Sequence, residues 1–239
     1  KMFNAQPEPE RRHVVDVTAL NGFLTKMYSI MGLAVLVSAL TAYLATTVFA
    51  KSYLSLVAGR PAVLWILMFV PVGLCLGISF QATRKPTTSF FLLMLMAVVY
   101  GLTLAPIAYV YTGAQIGGAF VSAAAVFVGM ALYGSVTKKN LDNFGAYASA
   151  ALWGLIVASL VNVFLRSSAA TFVFSIIGVV IFTALTAYDA QKMKQIYLEY
   201  GSQVPELGLA VNGALTLYLD FLNLFIEFLQ IFGMLSDDR

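Results

Sequence analysis

Seven long apolar stretches separated by short polar breaks run from one end of the chain to the other. They cover roughly Leu20 to Phe49, Ala62 to Phe80, Ser89 to Tyr111, Gly117 to Val136, Ala146 to Leu165, Ala170 to Lys192 and Leu207 to Leu235. A bilayer core about 30 Å thick is crossed by about 20 apolar residues in an α-helix, and within it only helices or closed barrels satisfy their own backbone groups. Barrel strands would show as roughly ten-residue segments of alternating polarity. These runs are longer and unbroken. The pattern therefore predicts an all-α integral membrane protein: a seven-transmembrane-helix bundle over residues 18–239, behind a short cytoplasmic amino tail over residues 1–17. The breaks fall at Lys51 to Pro61, Arg84 to Pro86, Thr112 to Gly118, Lys138 to Asn143, Arg166 to Ser168 and Glu199 to Pro205, and none is long enough for a domain outside the membrane.

Composition narrows the function. Of 239 residues, 60% are hydrophobic and 10% charged, with a mean hydropathy of +0.87, which excludes an ordinary soluble domain. A net charge of +3, from 14 Lys plus Arg and 11 Asp plus Glu, is too small and scattered for a phosphate-tracking face, so the lipid bilayer is an expected partner and nucleic acid is not. The single cysteine, Cys75, lies in an apolar stretch and reads as filler, with no disulfide framework or thiolate metal site to join. Lys1 ahead of Met2 reads as lying outside the natural start. The apolar run after Arg11 and Arg12 far exceeds a signal peptide's apolar core, so it is expected to remain as an anchor.

Basic residues orient the bundle in a cell membrane. Arg11, Arg12, Lys26, Arg84, Lys85, Lys138, Lys139, Lys192 and Lys194 fall on one side, which places the amino terminus in the cytoplasm. Lys51, Arg60, Arg166 and Arg239 fall on the other. Seven crossings put the carboxyl end outside, unless the last segment re-enters. Small residues inside the spans, such as Gly117, Gly118, Ala119, Ser122 and Ala123, allow close helix approach. Trp65 and the tyrosines near span ends read as interface anchors, whereas Trp153, well inside its span, is expected to pack in the core.

Three carboxylates stand inside the spans: Asp189, Asp220 and Glu227. Each costs about 2.5 to 3.5 kcal/mol to insert, so such residues face a bundle interior and mark function. At 100° per residue, Gly213, Thr216, Asp220, Asn223, Glu227 and Gln230 fall within an arc of about 100°, a polar stripe on an otherwise apolar helix. Ser175, Gly178, Thr186 and Asp189 cluster within about 60° on the preceding helix. The short link makes these helices antiparallel neighbours, and the last helix is expected at the centre of the bundle. Asp189 and Asp220 then form a carboxylate pair, with Thr186, Thr216, Asn223, Glu227 and Gln230 along a polar or pore-lining stripe. Two such groups in a low dielectric cannot both ionise cheaply, so they share a proton. Ionised, they offer hard oxygen ligands to calcium, whose shell of 6 to 8 oxygens Asn223, carbonyls or waters would complete. Protons and calcium are the expected ligands, with calcium transported or regulatory and no resident cofactor.

These residues resemble the transmembrane Bax inhibitor motif family. The strongest motif runs from Leu217 through Tyr218, Leu219, Asp220, Phe221, Leu222, Asn223 and Leu224 to Phe225, with Ile231, Phe232 and Gly233 following; Tyr188 and Asp189, then Gln191, form a second. Gly101 to Pro106 and Leu132 to Gly134, followed by Thr137 to Leu141, are weaker matches. The resemblance implies a seven-helix bundle around a hydrophobic last helix, and a pH-regulated, calcium-permeable leak sensed by Asp189 and Asp220. It also implies a basic latch on the sixth-helix aspartate, matched best by Arg84, with Lys85 adjacent. A basic residue common just before the Phe-Gly of the last motif is replaced here by Gln230 and Ile231.

On this reading the protein is not an enzyme, and a latched, ionised pair closes the path until protonation or loss of the latch opens it. Two other functions compete. One is a non-conducting protein that modulates a membrane protease or cell-death regulator through a membrane protein partner. The other is an intramembrane aspartyl protease, disfavoured because Tyr218 and Leu219, not a Gly-x-Gly stretch, precede Asp220. Serine-protease and zinc chemistry fail because the one histidine, His13, lies in the polar tail. A monomer or weak oligomer is expected.

Overall fold

Nine helical segments, and no strand, make up the described residues, 17–237, of the computed structural model. Arg11, Arg12, His13 and Arg239 lie outside them, as does the amino tail up to residue 16. Seven membrane-length helices follow in order: α1 (Val17–Thr46), α3 (Pro61–Gln81), α4 (Pro86–Leu104), α6 (Gly113–Val136), α7 (Asp142–Leu165), α8 (Ser168–Tyr200) and α9 (Glu206–Asp237), with the short α2 (Ala50–Ala58) and α5 (Ile107–Val110) between them. The predicted seven-span, all-α architecture stands.

Local chemistry sets the helix ends. Pro61 and Pro86 occupy the opening turns of α3 and α4, where a missing N–H costs nothing. A capping box opens α6: the Thr112 hydroxyl accepts from the Gln115 N–H, and the Gln115 side chain accepts from the Thr112 N–H at 2.7 Å. Arg166 takes a left-handed conformation, φ 52°, to end α7. The Asn162 amide then donates to Ser167 O at 3.1 Å and Thr171 Oγ1 at 2.8 Å, tying that end to the start of α8.

Three boundaries differ from the sequence reading. The third crossing is interrupted at Ala105 and Pro106, because proline has no N–H to continue the ladder. The stretch read as a break from Lys51 holds α2, docked by Tyr53, whose buried hydroxyl donates to Leu102 O at 2.9 Å. The sixth crossing runs on from Lys192 to Tyr200 because its far end still has apolar partners: Met193 is buried, and the Tyr197 ring stacks on Phe23 with centroids 4.3 Å apart. α9 is one continuous helix of 32 residues, about 48 Å long, with no break of the kind a re-entrant segment needs and enough length to cross a bilayer.

The bundle is built around α9. Its span is 61% buried, against 11 to 33% for the others, and α8, α6, α1, α4 and α3 all pack against it. Hydropathy runs the opposite way: α9 is the least apolar span, at 1.5, and α3, at 2.4, is the most apolar and the least buried. In lipid, contact with acyl chains demands apolarity, while helix contacts tolerate small and polar groups. α7 rests on α8 with no other substantial neighbour. That corrects the expectation for Trp153, which is 72% exposed and turned outward, because most of α7's circumference meets lipid.

Candidate functional site

The α8–α9 link, 201–205, folds the two helices into an antiparallel pair with a readable register. Gly213 lies against Met193, Asp220 against Asp189, and Glu227 against Gly178, while Ser175 Oγ donates to Gln230 Oε1 at 2.6 Å. The two polar faces read from the sequence therefore meet. The Asp189 and Asp220 carboxyl groups lie within hydrogen-bonding reach of each other. Asp220 is 5% exposed and Asp189 half-buried. Asp220 Oδ2 is buried with no hydrogen-bond partner among the described residues. A single proton between the two groups would supply the missing bond, because two carboxylates carry no donor of their own.

Close packing aims Asp189 at α9. Gly134 of α6 lies against the backbone of Ala187; a Cβ there would also sit 2.8 Å from Ala187 C and 3.0 Å from its Cα. Gly145 of α7 leaves room for the Tyr188 ring, which Lys192 Nζ caps from 5.2 Å. One turn on, Gln191 holds the α6–α7 link: Oε1 accepts from Leu141 N at 2.9 Å, and Nε2 donates to Lys139 O at 2.8 Å. Lys194 Nζ donates to Ser135 O at 2.7 Å. On the α9 side, the Tyr218 hydroxyl and Ser38 Oγ are 2.6 Å apart, and Ser38 also reaches Ala97 O at 2.9 Å, joining α1, α4 and α9. Sequence reasoning missed Gly134, Gly145, Gln191 as a clamp and Ser38. Gln191 and Gly134 stood in motifs without a role assigned, and glycine in a membrane helix is too common to single out.

The other stripe residues divide. The hydroxyls of Thr186 and Thr216 and the amide of Asn223 donate to carbonyls one turn back on their own helices: Phe182 O at 2.7 Å, Asn212 O at 3.2 Å and Leu219 O at 2.9 Å. Those bonds satisfy them locally. Glu227 and Gln230 instead line a polar cavity of 460 Å³ at the α7–α8 end of the bundle. Arg84 is exposed at the end of α3 and makes no ion pair among the described residues, where the one ion pair joins Lys26 to Glu206. The structure thus does not bring Arg84 to Asp189. The cation beside the pair is Lys192, which faces both Asp189 and Asp142.

This fold and site define a class: a polytopic membrane bundle with a carboxylate pair buried between its last two helices. Residues 20–237 match the family described as Bax1-I, inhibitor of apoptosis-promoting Bax1, and the chain belongs to that family. It is 36% identical over 220 residues to the uncharacterized protein YrjE of Lactococcus lactis, covering 92% of this chain and 94% of that one. It is also 36% identical over 214 residues to an uncharacterized membrane protein of Streptococcus pyogenes, covering 90% and 93%. An uncharacterized protein of Rickettsia prowazekii shares 36% over 219 residues, covering 91% and 92%.

Proposed function

We propose that this protein is a pH-regulated, calcium-permeable leak whose gate is the Asp189–Asp220 pair. One observation carries the reading: two carboxyl groups from adjacent helices meet inside the bundle, and Asp220 Oδ2 has no hydrogen-bond partner among the described residues. With a proton between them the two carboxyl groups share one hydrogen bond and need no outside cation, which releases the latch and favours the open path. Without it, two negative charges in low dielectric repel or take up a cation. The proton and a divalent ion therefore compete for one place, and ligand occupancy shifts the population of closed and open bundles.

In this reading the basic ends of α1, α4, α7 and α8, carrying Lys26, Lys85, Lys139 and Lys192, face the cytoplasm, with the carboxyl end of α9 outside. Lys192, poised over Tyr188 beside Asp189, supplies the counter-charge when the pair is ionised. A latch by Arg84 requires the end of α3 to swing toward α8. The reading invokes no resident cofactor and no catalysis.

The test is calcium and proton flux into liposomes across pH for the native chain and for Asp189→Asn and Asp220→Asn. Loss of the pH dependence in both variants, with folding intact, is the expected result. A native pH profile in either variant removes the pair as the sensor. Complete absence of flux at every pH, together with a stoichiometric membrane partner on purification, would replace the leak with an interaction role.

A further inference from the structure

The wedge between α7 and α9 holds a second arrangement. Because α7 packs on α8 and at most glances past α9, the two helices stand apart. The gap contains two cavities, 460 and 390 Å³, that share Ser159, Val163 and Glu227 as walls. The first opens at the α7–α8 link and is lined by polar groups, among them Asn162, Arg166, Ser167 and Thr171. The second follows α7 toward Phe182 and Asn223, one turn of α9 short of Asp220.

Glu227 stands where they join, about 10 Å along α9 from Asp220. Its place is carved by Gly178, where a Cβ would lie 2.6 Å from Glu227 Cδ and 2.7 Å from Oε1. Ser175 is within hydrogen-bonding reach of Glu227, yet its single hydroxyl hydrogen is directed to Gln230 Oε1 at 2.6 Å. One hydrogen cannot serve both acceptors, and Glu227, which lines both cavities, keeps acceptor capacity for a ligand there. Acyl chains offer such a wall no partners. At about 30 Å³ per molecule, the larger cavity has room for roughly fifteen waters.

We propose that this wedge is a water-filled side entrance, and that Glu227, with Ser175 Oγ and Gln230 Oε1 beside it, is a station for a hard cation of the calcium class. One carboxylate, two neutral oxygens and waters make a weak, exchangeable shell, suited to an ion in transit and not to a resident metal. Arg166 is the charged group that shares the cavity from the α7–α8 link, and it competes with an arriving cation for Glu227. The station deepens the leak reading and rests on it only for the ion's route beyond Asn223.

The test reads the wedge without measuring flux. Ser159→Cys, with Val163→Cys as a second reporter, is placed in a Cys75→Ala background in phosphatidylcholine nanodiscs, which expose both membrane faces. Rates with a cationic and an anionic methanethiosulfonate are each divided by the rate on free 2-mercaptoethanol. Only thiolate in contact with water reacts. Both reagents should react, with the cationic one favoured by about tenfold, because a charged cleft concentrates counter-ions. Glu227→Gln should bring that ratio close to one, and millimolar calcium should slow the cationic reagent only when Glu227 is present. Two unreactive thiols would mean a lipid-filled wedge, and a ratio indifferent to Glu227→Gln would mean no cation station. Either result overturns the proposal and leaves the aspartate pair to its own flux test.

Discussion

Gly134→Ala is a one-methyl perturbation aimed at the contact that positions Asp189. The added Cβ would meet Ala187 O, with Ala187 C and Cα at 2.8 and 3.0 Å. Carbon contacts are comfortable at about 3.5 to 4.0 Å, and Ala187 O is closer still than these two carbons, so α6 and α8 must separate locally by roughly 1 Å. All three neighbours are backbone, and no rotamer change can relieve them. Overpacking of this kind costs about 1 to 3 kcal/mol, and the rigid neighbour places this case in the upper half of that range. For a chain of this size that lowers the apparent melting temperature by about 4 to 12 °C. The functional consequence follows from register: Asp189 lies two residues, about 3 Å, beyond Ala187, and hydroxyl-to-oxygen hydrogen bonds span only about 2.5 to 3.0 Å. A shift of the expected size takes the pair out of contact. Purified protein in detergent should therefore melt early, and its calcium flux in liposomes should lose its pH dependence. Gly129→Ala on the same helix is the control, since a Cβ there meets nothing within 4 Å; it should be neutral or slightly stabilising. If Gly134→Ala melts and titrates like Gly129→Ala, the argument that α6 positions Asp189 is wrong.

Removing the Tyr218 hydroxyl with Tyr218→Phe should cost about 1 kcal/mol, read as a lower melting temperature, because Ser38 keeps Ala97 O as an acceptor. Gln191→Leu strands Leu141 N and Lys139 O together, so a larger loss, about 1 to 3 kcal/mol per unpaired buried group, should appear with faster proteolysis of the α6–α7 link. Glu206→Gln breaks the ion pair with Lys26, but both side chains are well exposed, at 46% and 38%, so the melting temperature should move by no more than the equivalent of about 1 kcal/mol. Gly178→Ala should displace the Glu227 carboxyl and reduce cation selectivity at the wedge thiols without altering the aspartate pair.

Much of the site was legible because membrane helices follow a strict periodicity. Asp189 and Asp220 could be paired from sequence: each carboxylate is costly in lipid, and the two stripes lie on helices joined by a short link. Helical spacing alone put Thr186, Thr216 and Asn223 in those stripes. Their hydrogen bonds could not be read, because a hydroxyl or amide in a helix has a carbonyl one turn back as a ready alternative to an interhelical partner. Arg84 was assigned by motif, and only the placement of α3 against α4, α2 and α9 shows it away from α8. Trp153 failed for a related reason: burial depends on which neighbours a helix has, and α7 has one.

The sequence alone determined seven crossings, their order and the identity of the central pair, because the cost of polar backbone and carboxylates in hydrocarbon depends on the residues themselves. The tertiary structure decided which glycines are indispensable, which cation stands beside Asp189, and that α7 parts from α9 to leave Glu227 facing a cavity. Those outcomes depend on distances between helices far apart in the chain, and side-chain volume on both partners sets them, a quantity that no single segment carries.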